Sequence, residues 1–145
     1  MKLSILSTCL TLALVLPAFA ESHASGDAQA GEKEFNKCKA CHMIQDGDGN
    51  DIVKGGRTGP NLYGVFARSA GAVDDFKYSG SMEEAGAAGL VWDEENFVSY
   101  VADPTGYLRE YLDDSKARGK MSFKLKDEDK AKDVWAYLVS VGPAS

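Results

Sequence analysis

The hydrophobic pattern changes character along the chain. Ile5 to Leu16 is an apolar run interrupted only by Ser7, Thr8 and Thr11, preceded by Lys2 and followed by Pro17-Ala18-Phe19-Ala20. A basic start, a short apolar stretch and small residues before the break predict a signal peptide over 1–20, removed on export. The run falls short of the roughly 20 residues that a membrane-spanning helix needs. Beyond it the apolar positions take up helical spacing. Gly31, Phe35 and Cys38 share one face of a helix predicted over Ala28–Cys38 and capped by Asp27. Asp93-Glu94-Glu95 opens another helix, with Phe97, Tyr100 and Val101 on one side. Pro104 ends it or opens the next, around Thr105–Leu112. Asp127 caps a last helix in which Ala131, Val134, Leu138 and Val141 recur, flanked by Trp135 and Tyr137. Residues 43–59 are polar and glycine-rich and read as loop. With no alternating strand and no internal repeat, the prediction is an all-α fold of four to five helices with long loops, one domain over 21–145.

Composition narrows the function. A length of 145 residues supports one core. The net charge of −6 argues against a nucleic-acid binder, which needs a basic footprint. Removal of the leader takes away Lys2 and Cys9, leaving a net charge of −7 and two cysteines, Cys38 and Cys41.

Those two lie in Cys38-Lys39-Ala40-Cys41-His42, the C-x-x-C-H arrangement of covalent c-type haem attachment. Three residues of separation on a helical turn place both sulfurs on one side, where they can form thioethers to the haem vinyl groups. His42 is then held beneath the iron as an axial ligand. A thioredoxin-like dithiol would need a βαβ context. A structural zinc site would need four Cys or His ligands, and outside the leader the chain offers only Cys38, Cys41, His42 and His23. A disulfide across two residues would be strained. Methionine is the usual electron-transfer partner of a ligating histidine. Met43 is next to His42 and on the wrong side of the ring. Met82 lies in a polar stretch, whereas Met121 lies in a loop between two helical patterns, far along the chain from Cys38. Met121 is therefore favoured over Met82.

The order of further motifs resembles that of class I cytochromes c. Gly31-x-x-x-Phe35, Cys38–His42, Thr58-Gly59-Pro60-Asn61-Leu62, Phe76-Lys77-Tyr78, Leu90-Val91-Trp92, Tyr100-x-x-Asp103-Pro104 and Lys120-Met121-x-Phe123 follow one another as in that family, nearest to its bacterial cytochrome c2 branch. The resemblance implies the family fold around one covalent haem c, with the first and last helices crossing at Gly31 and Phe35 near Tyr137. It implies that the Pro60 carbonyl accepts from His42 Nδ1, that Arg68, Tyr78 and Trp92 attend a haem propionate, and that Tyr100 approaches the axial methionine. It further implies a soluble periplasmic electron carrier of photosynthesis or respiration, not an enzyme. Such a carrier takes one electron from a cytochrome bc complex to a photosynthetic reaction centre, a terminal oxidase or both. Two features depart from eukaryotic members: Gly119 stands where they commonly have threonine, and the stretch from Tyr107 to Met121 is longer.

Charge adds an independent clue. Lys116, Arg118, Lys120, Lys124 and Lys126 surround Met121 with no acidic residue among them. Such asymmetry in an acidic protein would orient the haem edge toward acidic docking faces of redox partners. The expected particle is a monomer that inserts in no membrane and binds no nucleic acid. The alternatives are a dedicated donor or acceptor of one periplasmic oxidoreductase, or a small haem peroxidase or gas-binding protein. The latter is disfavoured because the chain beyond His42 holds no second histidine to act as a distal acid–base group.

Overall fold

The computed structural model describes residues 24–143; the leader predicted over 1–20, and His23, lie outside them. The described part has five α-helices and one two-stranded sheet. They are α1 (Ala28–Glu34), β1 (Ile44–Gln45), β2 (Asp51–Val53), α2 (Gly80–Ala87), α3 (Glu94–Ala102), α4 (Pro104–Tyr111) and α5 (Glu128–Ser140).

The α1–α5 crossing organises the molecule. Asp27 caps α1 by accepting from the Gln29 and Ala30 amides at 2.7 and 3.1 Å, and its own amide donates to Asp133 Oδ1 of α5 at 2.7 Å. At the contact, a Cβ on Gly31 would collide with the Asp133 carbonyl and approach Tyr137 Cβ to 2.9 Å. Only glycine lets the two backbones come this close. One turn on, Phe35 is buried with its ring 5.6 Å from that of Tyr137. Asp127 caps α5 through the Lys130 amide, and Glu128 and Asp129 sit at the positive end of its dipole. Trp135 and Leu138 of α5 are fully buried, and Phe97 of α3 lies 5.2 Å from Trp135. α3 thus packs on α5.

Three details differ from the sequence prediction, and at Pro104 the structure selects one of its two alternatives. The first helix ends at Glu34 and tightens into a 3-10 turn over Phe35–Lys37, where the Asn36 side chain takes the Lys33 carbonyl at 3.0 Å and competes with the regular ladder. Pro104 opens α4 and does not end α3: Asp103 caps α4 through the Gly106 amide at 3.2 Å, and proline is tolerated at a first helical position. The loop over 43–59 contains the hairpin β1–β2, antiparallel with Ile44 opposite Val53. Its turn is organised by Asp46, which accepts from the Asp48 and Asn50 amides at 3.0 and 2.8 Å. Helix α2 has no counterpart in the predicted elements. Its two glycines weaken the periodic signal, and it is held by Ser79 at its N-cap and by burial of Met82 and Ala85.

Gly31→Ala should destabilise the haem-loaded protein by about 2 kcal/mol or more, although alanine is intrinsically the better helix former by up to about 1 kcal/mol. Gly47→Ala, where a Cβ meets nothing within 4 Å, should be near neutral. Urea unfolding of both variants checks this; equal stabilities would refute the crossing argument.

Candidate functional site

The C-x-x-C-H segment forms a turn directly after the 3-10 turn. Cys38 N and Lys39 N donate to Phe35 O, and His42 N donates to Cys38 O at 2.9 Å. A second layer of backbone holds the turn from outside: Gly56 N donates to Lys39 O at 2.9 Å and Gly59 N to Cys41 O at 2.8 Å. A Cβ on Gly59 would press onto the His42 ring, 2.6 Å from Nδ1 and 2.8 Å from Nε2. The imidazole is therefore sandwiched against backbone, and glycine is needed for that approach.

His42 Nδ1 lies 2.9 Å from Pro60 O. A carbonyl can only accept, so Nδ1 carries the proton and Nε2 keeps its lone pair. Burial lowers the His42 pKa, partly offset by this hydrogen bond. The ring is thus held neutral, the form that binds a metal. Cys38 and Cys41 are not joined to each other. Burial, reinforced by Glu34, pushes the Cys38 thiol up to about 11. A redox dithiol needs the opposite shift. Among the described residues no group of three or more His, Cys, Asp or Glu is suited to a metal ion, so these residues offer no zinc site, and the Cys38 shift runs against thioredoxin-like chemistry.

Both cysteines and His42 line a cavity of about 250 Å3. Pro60, Arg68, Tyr78, Trp92, Tyr100, Met82, Lys120 and Met121 line it too. The structure thus brings together every cofactor residue expected from the sequence, and both methionines. Met82 is buried on α2; Met121 is half-buried in the loop before α5. That loop is pinned where it approaches the helices. Leu125 N donates to Val101 O at 2.7 Å, Arg118 N to Ser81 Oγ at 3.0 Å, and Arg109 Nε to Ala117 O at 3.2 Å.

The polar residues are set by local backbone. Ala67 has φ 56°, a left-handed conformation costly for alanine, and it precedes Arg68. The surrounding segment is held by Ala67 N to Trp92 O and Trp92 N to Arg68 O, both 2.9 Å. The Arg68 guanidinium donates through Nη1 to Tyr63 O at 3.0 Å and through Nη2 to Asn61 O at 3.1 Å. Burial raises the Tyr78 pKa, opposed by the nearby Arg68 cation, and pushes Tyr100 up to about 12. The Trp92 and Tyr100 rings meet edge to face at 5.1 Å.

Asn61 has a role that sequence reasoning did not assign. Its side chain accepts from the Gln45 and Tyr63 amides, both at 3.0 Å, and donates to Gln45 O at 2.7 Å. It fastens the Pro60 loop to β1. Its place beside Gly-Pro was the available signal.

The basic residues are less united than their sequence run. Lys120 lines the cavity, donates to Lys77 O and lies 5.8 Å over the Phe76 ring. Lys124 pairs with Asp103 at 2.8 Å. Lys126 lines a different groove, alongside Asp93, Glu94 and Glu95. Lys116 and Arg118 are exposed.

A cavity flanked by two thiols on one turn and a neutral, oriented imidazole suits a covalently attached haem. Comparisons with known proteins agree. Residues 28–142 match the family model described as Cytochrome c, and the chain belongs to that family. It is 56% identical over 142 residues to cytochrome c-551 of Roseobacter denitrificans, covering 93% of this chain and 97% of that one. It is 56% identical over 128 residues to cytochrome c2 of Cereibacter sphaeroides, covering 87% and 86% respectively. A solved structure of cytochrome c2 from Rhodobacter sphaeroides superposes with a TM-score of 0.80 at 56% identity, covering 81% of this chain and 98% of that one. The cofactor is haem c, the fold is that of class I cytochromes c, and the protein is an electron carrier and not an enzyme.

Arg68→Lys keeps the charge but cannot reproduce the fork that serves two carbonyls. It should cost about 1–3 kcal/mol, the loss of one charge-assisted hydrogen bond at a half-buried site. Urea unfolding of the haem-loaded protein measures it; an unchanged midpoint would show the fork to be dispensable.

Proposed function

We propose that this chain is exported to the periplasm and there shuttles single electrons from a cytochrome bc complex to a photosynthetic reaction centre, a terminal oxidase or both. The observation that carries the reading is the tie between His42 Nδ1 and the Pro60 carbonyl at 2.9 Å, in a cavity that Met121 also lines. It leaves Nε2 as a ready axial donor on a ring that cannot rotate. In this reading Cys38 and Cys41 would hold the haem through thioethers, and His42 and Met121 would ligate its iron. The haem supplies a one-electron store. The chain's part is to fix both ligands, keep the cavity apolar and favour the ferrous form through methionine ligation. Trp92, Tyr78 and Arg68 supply polar groups toward a propionate: Arg68 has spent two of its five N–H donors on carbonyls. Tyr100, which lines the same cavity as Met121, is assigned to the methionine ligand.

Export is supported by the apolar run Ile5–Leu16 and its flanks. No helix among the described residues is long and apolar enough to cross a membrane. Docking is assigned to the rim of basic residues Lys116, Arg118, Lys120, Lys124 and Lys126, in a chain whose overall charge is negative. Lys116, Arg118 and Lys120 carry most of the attraction to an acidic partner face, because the Lys124 charge is answered by Asp103 and Lys126 faces an acidic groove. The working particle is a monomer that binds no nucleic acid.

Met121→Ala should abolish the weak long-wavelength methionine–iron band of the ferric protein and lower the reduction potential strongly. Retention of both in this variant, with their loss in Met82→Ala, would move the ligand to α2. The double variant Lys116→Glu/Arg118→Glu should slow association with a purified bc complex about tenfold or more at low ionic strength, and the difference should shrink as salt is added. Stopped-flow kinetics reads this out; a salt-independent rate in the parent protein would remove the docking assignment.

A further inference from the structure

Four aromatic rings run in a continuous file from the cavity to the surface. Trp92 and Tyr100 line the cavity, with centroids 5.1 Å apart. Tyr100 meets Tyr107 at 6.0 Å, and Tyr107 stacks on Tyr111 at 6.0 Å with the planes inclined by only 24°. All three separations fall within the roughly 4.5–7 Å span of direct ring contact. The last step follows from helix geometry, since Tyr107 and Tyr111 sit four residues apart on α4. Tyr111 is 38% exposed.

The composition of the file is unusual for this molecule. Two other ring chains touch the cavity, and both finish in phenylalanine, whose benzene ring resists one-electron oxidation. Tyr78 contacts Phe76 at 4.8 Å. Phe97 contacts Trp135 at 5.2 Å, which leads on to Phe66 at 6.2 Å. Trp135 is fully buried and its Nε1–H has no partner, so an oxidised indole there could not shed its proton. Of these chains the Trp92 file alone is built of oxidisable rings along its whole length; Tyr78, a single half-buried ring on the cavity wall, is its competitor.

We propose that Trp92, Tyr100, Tyr107 and Tyr111 form a relay that moves an oxidising equivalent out of the haem cavity to Tyr111 at the surface. The proposal rests on haem c occupying the cavity and on neither the Met121 assignment nor the partners proposed above. Its direction follows from proton loss. A phenol or indole that has lost an electron becomes a strong acid and holds the oxidised state best where a base can take its proton. Tyr100 is buried. Tyr107 donates its hydroxyl only to the Asn96 side-chain carbonyl at 2.8 Å, a weak base, and burial together with Tyr111, Asp93, Glu95 and Glu110 pushes its phenol up to about 12. At Tyr111 water takes the proton, so the oxidised state comes to rest there.

With peroxide as the oxidant the step balances. One hydrogen peroxide reduced within the cavity takes two electrons and two protons and leaves as two waters. Both electrons leave by the one relay in turn: the first Tyr111 radical is returned to phenol by a hydrogen atom from Tyr111 of a second molecule, which keeps the radical, and the second electron then leaves the first molecule's Tyr111 together with its phenolic proton. The two phenoxyl radicals then couple carbon to carbon, giving a dityrosine-linked dimer. In the presence of a soluble reductant the radicals would instead be returned to tyrosine, and the relay would protect the cofactor surroundings.

The test treats the haem-loaded ferric protein with hydrogen peroxide and follows dityrosine fluorescence, with peptide mass mapping of the cross-link. The visible spectrum before treatment separately establishes that haem is bound. The parent should give a dimer joined through Tyr111. Tyr111→Phe should abolish it. Tyr107→Phe, which keeps the ring and removes only the hydroxyl, should abolish the Tyr111 cross-link and shift oxidation onto Trp92 or Tyr100. Tyr107→Trp, oxidisable again, should restore the cross-link. An undiminished Tyr111 cross-link in Tyr107→Phe would show direct oxidation from solution and overturn the proposal. So would cross-linking through Tyr63, Tyr78 or Tyr137 in the parent.

Discussion

The hydrogen bond from His42 Nδ1 to the Pro60 carbonyl is the constraint on which the rest depends. It joins the end of the first helical segment to a loop eighteen residues further on, and each side of that join has its own supports. On one side the turn is closed by His42 N to Cys38 O. On the other, Asn61 anchors the loop to β1, and Gly59 lets it lie against the imidazole face. Without the loop the ring could rotate or exchange its proton between nitrogens. With it, one nitrogen and one direction are selected for the iron.

The α1–α5 crossing serves this constraint from a distance. It fixes where the first helix ends, and hence where the two thiols and the histidine emerge. The wall opposite is built differently, from a long loop tacked to α2, α3 and α4 by isolated hydrogen bonds. One side of the cavity is therefore held by close helix packing and the other by a few ties.

Much of this was legible in the sequence, and the limits have physical reasons. The Cys38–His42 spacing, the caps at Asp27 and Asp127 and the Gly31–Phe35 face each depend on neighbours within a few residues, so local pattern was enough. Pro60 and Arg68 could be named only through resemblance, because Pro60 acts through its own backbone carbonyl and Arg68 on the carbonyls of Tyr63 and Asn61, which no side-chain pattern reveals. Helix α2 was missed because Gly80 and Gly86 dilute its periodicity, and its stability comes from burying Met82 and Ala85 under other elements. The hairpin was missed because its two strands total only five residues. The basic run was read as one patch, yet a linear charge count cannot say which way each side chain turns. Lys124 turns to Asp103, and Lys126 to a separate groove.

Asp103 does two jobs with one carboxylate. It begins α4 by accepting from Gly106, and it holds Lys124 three residues past Met121. The lysine and the helix amide keep its pKa below the ordinary carboxylate range. The stabilisation is thus complete above the unfolded-chain value of about 3.9 and fades as acid titrates the folded group. Protonating this single carboxylate slackens the helix start and the loop tether together, so one acid titration loosens two ties on the Met121 side of the cavity at once.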